Sequence, residues 1–147
     1  MDAKYNTYIV DSVHYAKPGA FANYSGNKVV GVPGMTFNAN LGWAPAALNG
    51  IRLRAGVQHT GGYFVDDANV VKVPSASVFN GGLVTDRAFA IGGGFGVRGF
   101  LTVSNLADTR FVGSAFLNPD RVAGVPVAFE PGLPRQVILS LAFEHLR

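Results

Sequence analysis

The sequence predicts an all-β chain, an antiparallel segment of a transmembrane β-barrel with about six strands. Three observations predict it. Hydrophobic residues make up 48% of the 147 but charged residues only 14%, against the ~25% usual in a soluble domain, and mean hydropathy is positive at +0.23. Too few charges remain to cover a soluble surface. No stretch reaches the ~18 consecutive apolar residues of a transmembrane helix, because Gly, Asn, Ser or Arg interrupts each one. Instead apolar and polar residues alternate, as they must where successive side chains face lipid and lumen in turn.

The remaining composition agrees. With 19 Gly, 8 Pro, 11 Phe and 5 Tyr, strands and turns are favoured over helices. The absence of cysteine excludes a disulfide framework and a thiolate metal site. A net charge of +3 comes from 12 basic and 9 acidic residues scattered singly. They form no basic stripe, so nucleic acid is not an expected partner.

The clearest strand runs from Met35 to Trp43. Met35, Phe37, Ala39, Leu41 and Trp43 share one face, opposite Thr36, Asn38, Asn40 and Gly42. A short turn from Pro45 to Gly50 leads to a second such strand, with Ile51, Leu53, Ala55 and Val57 against Arg52, Arg54, Gly56 and Gln58. Ser77 to Val84 sets Phe79 and Leu83 against Asn80. Val97 to Ser104 sets Val97, Leu101 and Val103 against Arg98, Thr102 and Ser104. The last strand, Arg135 to His145, alternates Val137, Leu139, Leu141 and Phe143 with Gln136, Ile138, Ser140 and Ala142. Tyr5 to Tyr15 reads as a first strand, left through Pro18 and Asn23 to Asn27. Ala88 to Gly94 has no clear pattern, and residues 107–132, with Pro119, Pro126 and Pro131, read as irregular.

These strands approach the about 9–11 residues of a tilted membrane strand. Their connections alternate: long over 16–33, short over 44–50, long over 60–76, shorter over 85–94, long over 107–132. Short turns belong to the periplasmic end of such barrels and long loops to the outside, which puts both chain ends on the periplasmic side. Trp43 and Phe143 then fall at the periplasmic rim, and Tyr63, Phe64 and Phe111 at the outer one. A soluble antiparallel sandwich would alternate too, but its outer faces would need charges that this chain lacks.

Two motifs add a family resemblance. Leu101 to Ser104 followed by Asn105, Leu106, Ala107, Asp108 and the aromatic Phe111 resembles the penultimate strand of TonB-dependent outer-membrane receptors, with its Asn-Leu-x-Asp end. Gly132, Leu133, Pro134 and Arg135 resemble the Gly-x-Pro-Arg entry to their last strand. Tyr24 to Pro33, and Tyr63 to Asn69 with Val73 and Pro74, resemble family loops. The likeness covers most of the chain from about residue 24 onward. Asn and Asp close turns on their own backbone, and Pro134 suits a strand's first position, so these motif residues are expected to be structural.

The resemblance implies that residues 1–147 are the C-terminal part of a barrel of about 22 strands around a plugged lumen. The complete protein would take up a scarce chelate, most often a ferric siderophore. Its partners would be the lipid of a Gram-negative outer membrane, the plug domain, the remaining strands and the TonB complex; no cofactor is implied. Met1 to Tyr5 begin no signal peptide, and the plug is not in the sequence, so both are expected upstream. The family's terminal aromatic is displaced here: Phe143 is followed by Glu144, His145, Leu146 and Arg147. Two other classes stand beside transport: a small structural or adhesive barrel that closes by oligomerising, and a soluble sandwich binding module.

Nothing in the sequence points to catalysis, and the catalytic, metal and ligand-contacting sets are left empty. Gly94 to Gly99 matches G-x-G-x-x-G, but the following Phe100 to Val103 is β-type where a dinucleotide site needs a helix. His14, His59 and His145 have no metal-ligand spacing. The pair Asp66 and Asp67 could bind a cation or contact a ligand; a solvated loop pair is the plainer reading. Asn23-Tyr-Ser25 matches a glycosylation acceptor, of no meaning in a bacterium. Gly113, Ser114 and Ala115 lack a nucleophile-elbow context. Asn38, Asn40, Arg52, Arg54 and Gln58 are expected to face the lumen.

Overall fold

The computed structural model describes residues 2–11, 21–122 and 125–146, with the backbone alone at 11, 118–122 and 125–127. The strands, in chain order, are β1 (Ile9–Asp11), β2 (Phe21–Asn23), β3 (Thr36–Trp43), β4 (Ile51–Thr60), β5 (Tyr63–Phe64), β6 (Lys72–Val73), β7 (Ala76–Thr85), β8 (Phe89–Gly92), β9 (Phe95–Ser104), β10 (Val112–Val122), β11 (Val125–Pro131) and β12 (Gln136–His145). One 3-10 turn, Ala46–Leu48, is the only helical element among the described residues. The chain divides into two compact units. The expected all-β antiparallel class is what the structure has.

The unit of Phe37–His59, Ser77–Arg110 and Gly132–Arg147 is a single sheet in the order β12-β9-β7-β4-β3, with β8 also paired to β9. Its register shows the two faces that the alternation predicts. Leu139 stands opposite Leu101, and Leu101 opposite Leu83, so three leucines form a row on the apolar face. Val137 and Val103 lie beside them with Gly81. On the other face Ile138, Thr102 and Gly82 share a row, and Ser140, Phe100 and Val84 the next. That polar face therefore carries an apolar spot at Phe100 and Ile138. No second sheet covers either face within this unit: Leu41 is 69% and Phe143 68% exposed. A soluble sandwich would bury one face of each sheet.

The segment that has no sequence pattern, Ala88 to Gly94, continues β7 along the same partner. Val84 pairs with Phe100, and Phe89 with Val97. Five steps on one strand against three on the other leave two extra residues, a bulge at 85–88. There Thr85 Oγ1 accepts the Gly99 N–H at 3.0 Å and fills the broken ladder. Gly92, Gly93 and Gly94 then turn the chain with φ of 101°, 62° and 77°, a left-handed run that only glycine adopts freely. Every described non-glycine residue with positive φ is Asn or Asp: Asn49, Asn69, Asn105 and Asp108.

Asn105 is the one buried polar side chain among the described residues, 2% exposed. Its backbone N–H donates to Asn80 Oδ1 (3.0 Å), and Leu106 N–H donates to the Phe79 carbonyl (2.7 Å). Its Nδ2 donates to the carbonyls of Thr109 (2.9 Å) and Leu133 (3.1 Å), and its Oδ1 accepts the Thr109 N–H (2.9 Å). Asp108 in turn accepts the Arg135 N–H at 2.9 Å. The structural role expected of Asn105 and Asp108 holds, and it reaches further than turn closure: the two residues tie the ends of β7 and β9 to the entry of β12.

The other unit comprises Met1–Thr36, Thr60–Ala76 and Phe111–Pro131. Two expectations are corrected here. Among the described residues the first strand is Ile9–Asp11 and pairs antiparallel with β2, Val10 opposite Ala22, rather than joining the long sheet; residues 12–15 lie outside the described ones. Local partners compete successfully, since Tyr5, Gly26 and Val29 exchange backbone bonds with the facing strand. Residues 107–132 are not irregular but mostly the hairpin of β10 and β11. A two-stranded ribbon is all edge and tolerates proline, here with a register shift between Leu117 and Val122. Tyr63 and Phe64 are half-buried, and Tyr63 packs with Val71, Val112 and Ala115 around buried Val65 and Val73.

Replacing Asn105 by Ala removes three side-chain bonds to part-buried backbone groups of Thr109 and Leu133. N105A is expected to lose about 2–4 kcal/mol of stability, read by urea titration in detergent micelles, whereas N38A on the exposed face of β3 should change it by less than about 0.5 kcal/mol.

Candidate functional site: a loop clamp and a polar sheet face

Asp66 and Asp67 are neither a cation pair nor a solvated pair. Asp66 caps its own loop: its carboxylate accepts the N–H groups of Val70 (3.1 Å) and Val71 (2.6 Å), an Asx-type turn. Asp67 accepts the Tyr5 hydroxyl at 2.8 Å and the Tyr8 hydroxyl at 3.3 Å, and its carbonyl accepts Asn27 Nδ2 at 2.7 Å. Next to it, Asn69 imitates a strand: Oδ1 accepts the Lys28 N–H (2.7 Å) while Nδ2 donates to the Lys28 carbonyl (3.0 Å). Asp66 thus closes loop 63–73 on itself, while Asp67 and Asn69 hold that loop to residues 5–28.

The rings of Tyr5, Tyr8 and Tyr24 pack in sequence at tilts of 45° and 50°, with centroids 4.6 and 5.7 Å apart. Partial burial and the bond to the Asp67 carboxylate raise the Tyr5 phenol above its usual value near 10. A raised phenol pKa means that folding favours the protonated form.

On the polar face of the long sheet the expected residues stand together. The aliphatic part of Arg52 lies against Gly42, and Asn40 Oδ1 lies over Gly56, 2.6 Å from where a Cβ would sit. Arg52 Nε and Nη2 each donate to the Asp86 carboxylate at 3.0 Å. Arg98 Nε donates to Glu144 at 3.3 Å. Asn40, Arg54, Gly56, Asn80, Gly82 and Thr102 line a shallow depression of about 150 Å³. Sequence periodicity found Asn40, Arg52 and Arg54. The partners Asp86 and Glu144 escaped it, since nothing local marks a pair 34 or 46 residues apart.

The other motifs resolve as structure. His59 Nδ1 is 2.8 Å from Ser77 Oγ, and His145 meets Phe95 edge-on at 5.4 Å; His14 lies outside the described residues. The Gly94–Gly99 stretch is a turn entering β9, not a strand-to-helix phosphate loop. Asn23 Oδ1 accepts the Ser25 N–H in a small turn, and the Ser114 hydroxyl donates to Glu130. Among the described residues no three His, Asp or Glu side chains gather as a metal site.

No protein-family pattern matches the chain, and no curated protein matches it. Among solved structures it is similar to the siderophore receptor PiuA from Acinetobacter baumannii, with a TM-score of 0.65 and 18% identity over 88% of this chain. The chain spans 17% of that receptor's length. At this identity the likeness concerns the fold: an antiparallel sheet laid out as a stretch of that receptor is.

Two outcomes are expected at the clamp. D67A leaves two phenols without their acceptor and should speed amide exchange across residues 26–31, with little change in β12. The protonated Tyr5 contributes in full below pH about 10. That contribution is lost as pH rises through its raised value, so Y5F should flatten the alkaline loss of clamp protection in the same exchange experiment.

Proposed function

We infer that this chain forms the last strands of an outer-membrane importer of the TonB-dependent receptor type. One observation carries the reading: a sheet apolar on one face and polar on the other, uncovered on both, with the layout of a stretch of a siderophore receptor. Lipid suits the face of Leu41, Leu53, Leu83, Leu101 and Leu139. A water-filled lumen suits the face of Asn40, Arg52, Arg54 and Thr102. The complete protein would carry a scarce chelate, a ferric siderophore first among them, driven through TonB, with no catalytic step. Its partners are the lipid of a Gram-negative outer membrane, a plug domain and further strands. The sheet favours such partners physically: among the described residues β3 and β12 each have one neighbour, and lipid does not tolerate unpaired backbone.

The same two edges favour a second reading, a small structural barrel closed by several copies of this chain. Heat-modifiable oligomers of the chain expressed alone would support it.

The two faces are tested by arginine. L41R and L53R should each cost about 2–4 kcal/mol near the bilayer midplane, while Q58R costs little. Folding is measured by urea titration in phospholipid vesicles; equal sensitivity of both faces rejects the barrel.

A further inference from the structure

On the polar face Arg52 and Arg98 are each matched by an acid, and Arg54, at the depression, is not. The unit that holds the long sheet has three acids: Asp86, Asp108 and Glu144. Asp86 is taken by Arg52 through two bonds, Glu144 by Arg98, and Asp108 by the Arg135 N–H. No acid of this unit is left for Arg54, which has no ion-pair partner among the described residues. Around it stand the amides of Asn40 and Asn80 and the hydroxyl of Thr102, with Leu41 and Ala55 also at the hollow. Asn80 Oδ1 is already occupied by the Asn105 N–H, which leaves Nδ2 to donate; Asn40 and Thr102 line the same hollow. Gly56 and Gly82 carry no side chain to fill it, and at Gly56 a Cβ would collide with Asn40 Oδ1.

A planar guanidinium beside amide and hydroxyl donors, over a floor kept open by glycine, matches one chemical class: a carboxylate, gripped by two parallel N–H donors. We propose that Arg54, with Asn40, Asn80 and Thr102, is a carboxylate-binding site. The proposal deepens the reading of this face as an importer's lumen and rests on it for access from water. The carboxylate is either that of a small solute or that of an Asp or Glu in a polypeptide segment filling the lumen.

The test uses the whole chain refolded into phospholipid vesicles, with circular dichroism confirming the strands. Titration calorimetry is run with succinate, with its uncharged diamide, and with a capped tripeptide carrying one Asp. Saturable succinate binding is expected, absent for the diamide, at least tenfold weaker in R54Q and partly restored in R54K. R98Q, whose arginine is already paired, should bind as the parent chain does. Tighter binding of the peptide than of succinate assigns the site to a polypeptide segment; the reverse assigns it to a solute. If R54Q and R98Q weaken binding equally, or if the folded, inserted chain binds neither probe, the proposal is overturned while the barrel stands. If the chain remains soluble and folded without lipid, the lumen reading falls, and the R54Q titration in buffer decides the site separately.

Discussion

The long sheet depends on how its strands are joined at one end, and there the burial of Asn105 is decisive. A polar side chain shut away from water must satisfy its own groups; the Asn105 amide does so on Thr109 and Leu133, while its backbone N–H donates to Asn80. Those partners belong to β7, the loop after β9 and the entry to β12. A slip of one residue in either pairing would strand these groups and also send every leucine to the wrong face. The hydrogen bonds and the Leu83–Leu101–Leu139 row therefore specify one register together. The left-handed backbone of Asn105 and Asp108, each with φ of 52°, costs Asn and Asp less than other side-chain-bearing residues.

The two units solve stability in different ways. The sheet of β3, β4, β7, β9 and β12 buries almost nothing within itself, and its two faces differ, one apolar and one polar. The unit containing β5, β6, β10 and β11 has a small core of its own, Val65 and Val73, reinforced by the polar clamp at Asp66, Asp67 and Asn69. Exposed ion pairs such as Arg52–Asp86 contribute little to stability. Their effect is on the field of the polar face, where two arginines are neutralised and Arg54 is not.

Sequence reading reached the five long strands within one or two residues of their ends, the two-faced alternation, and the capping roles of Asn105 and Asp108. It missed the continuation of β7 into β8, since a bulge interrupts the period of two that makes a strand visible. It also took prolines in 107–132 as evidence against strands, which is sound for a central strand and not for a two-stranded ribbon. Of the polar face, the alternation located Asn40, Arg52 and Arg54 but said nothing of which arginine would be left unpaired.

What the sequence by itself determined is the local pattern: alternation sorts side chains to two faces, and scarce charge with frequent glycine and aromatics favours strands and turns with one apolar face. These follow from covalent geometry and composition, so they need no partner from elsewhere in the chain. Only the tertiary structure decided where Asp67 and Asp86 spend their charge. Asp67 meets Tyr5 across 62 residues and Asp86 meets Arg52 across 34. Such pairings are settled by the register of strands and the path of loops, which no local window of sequence contains.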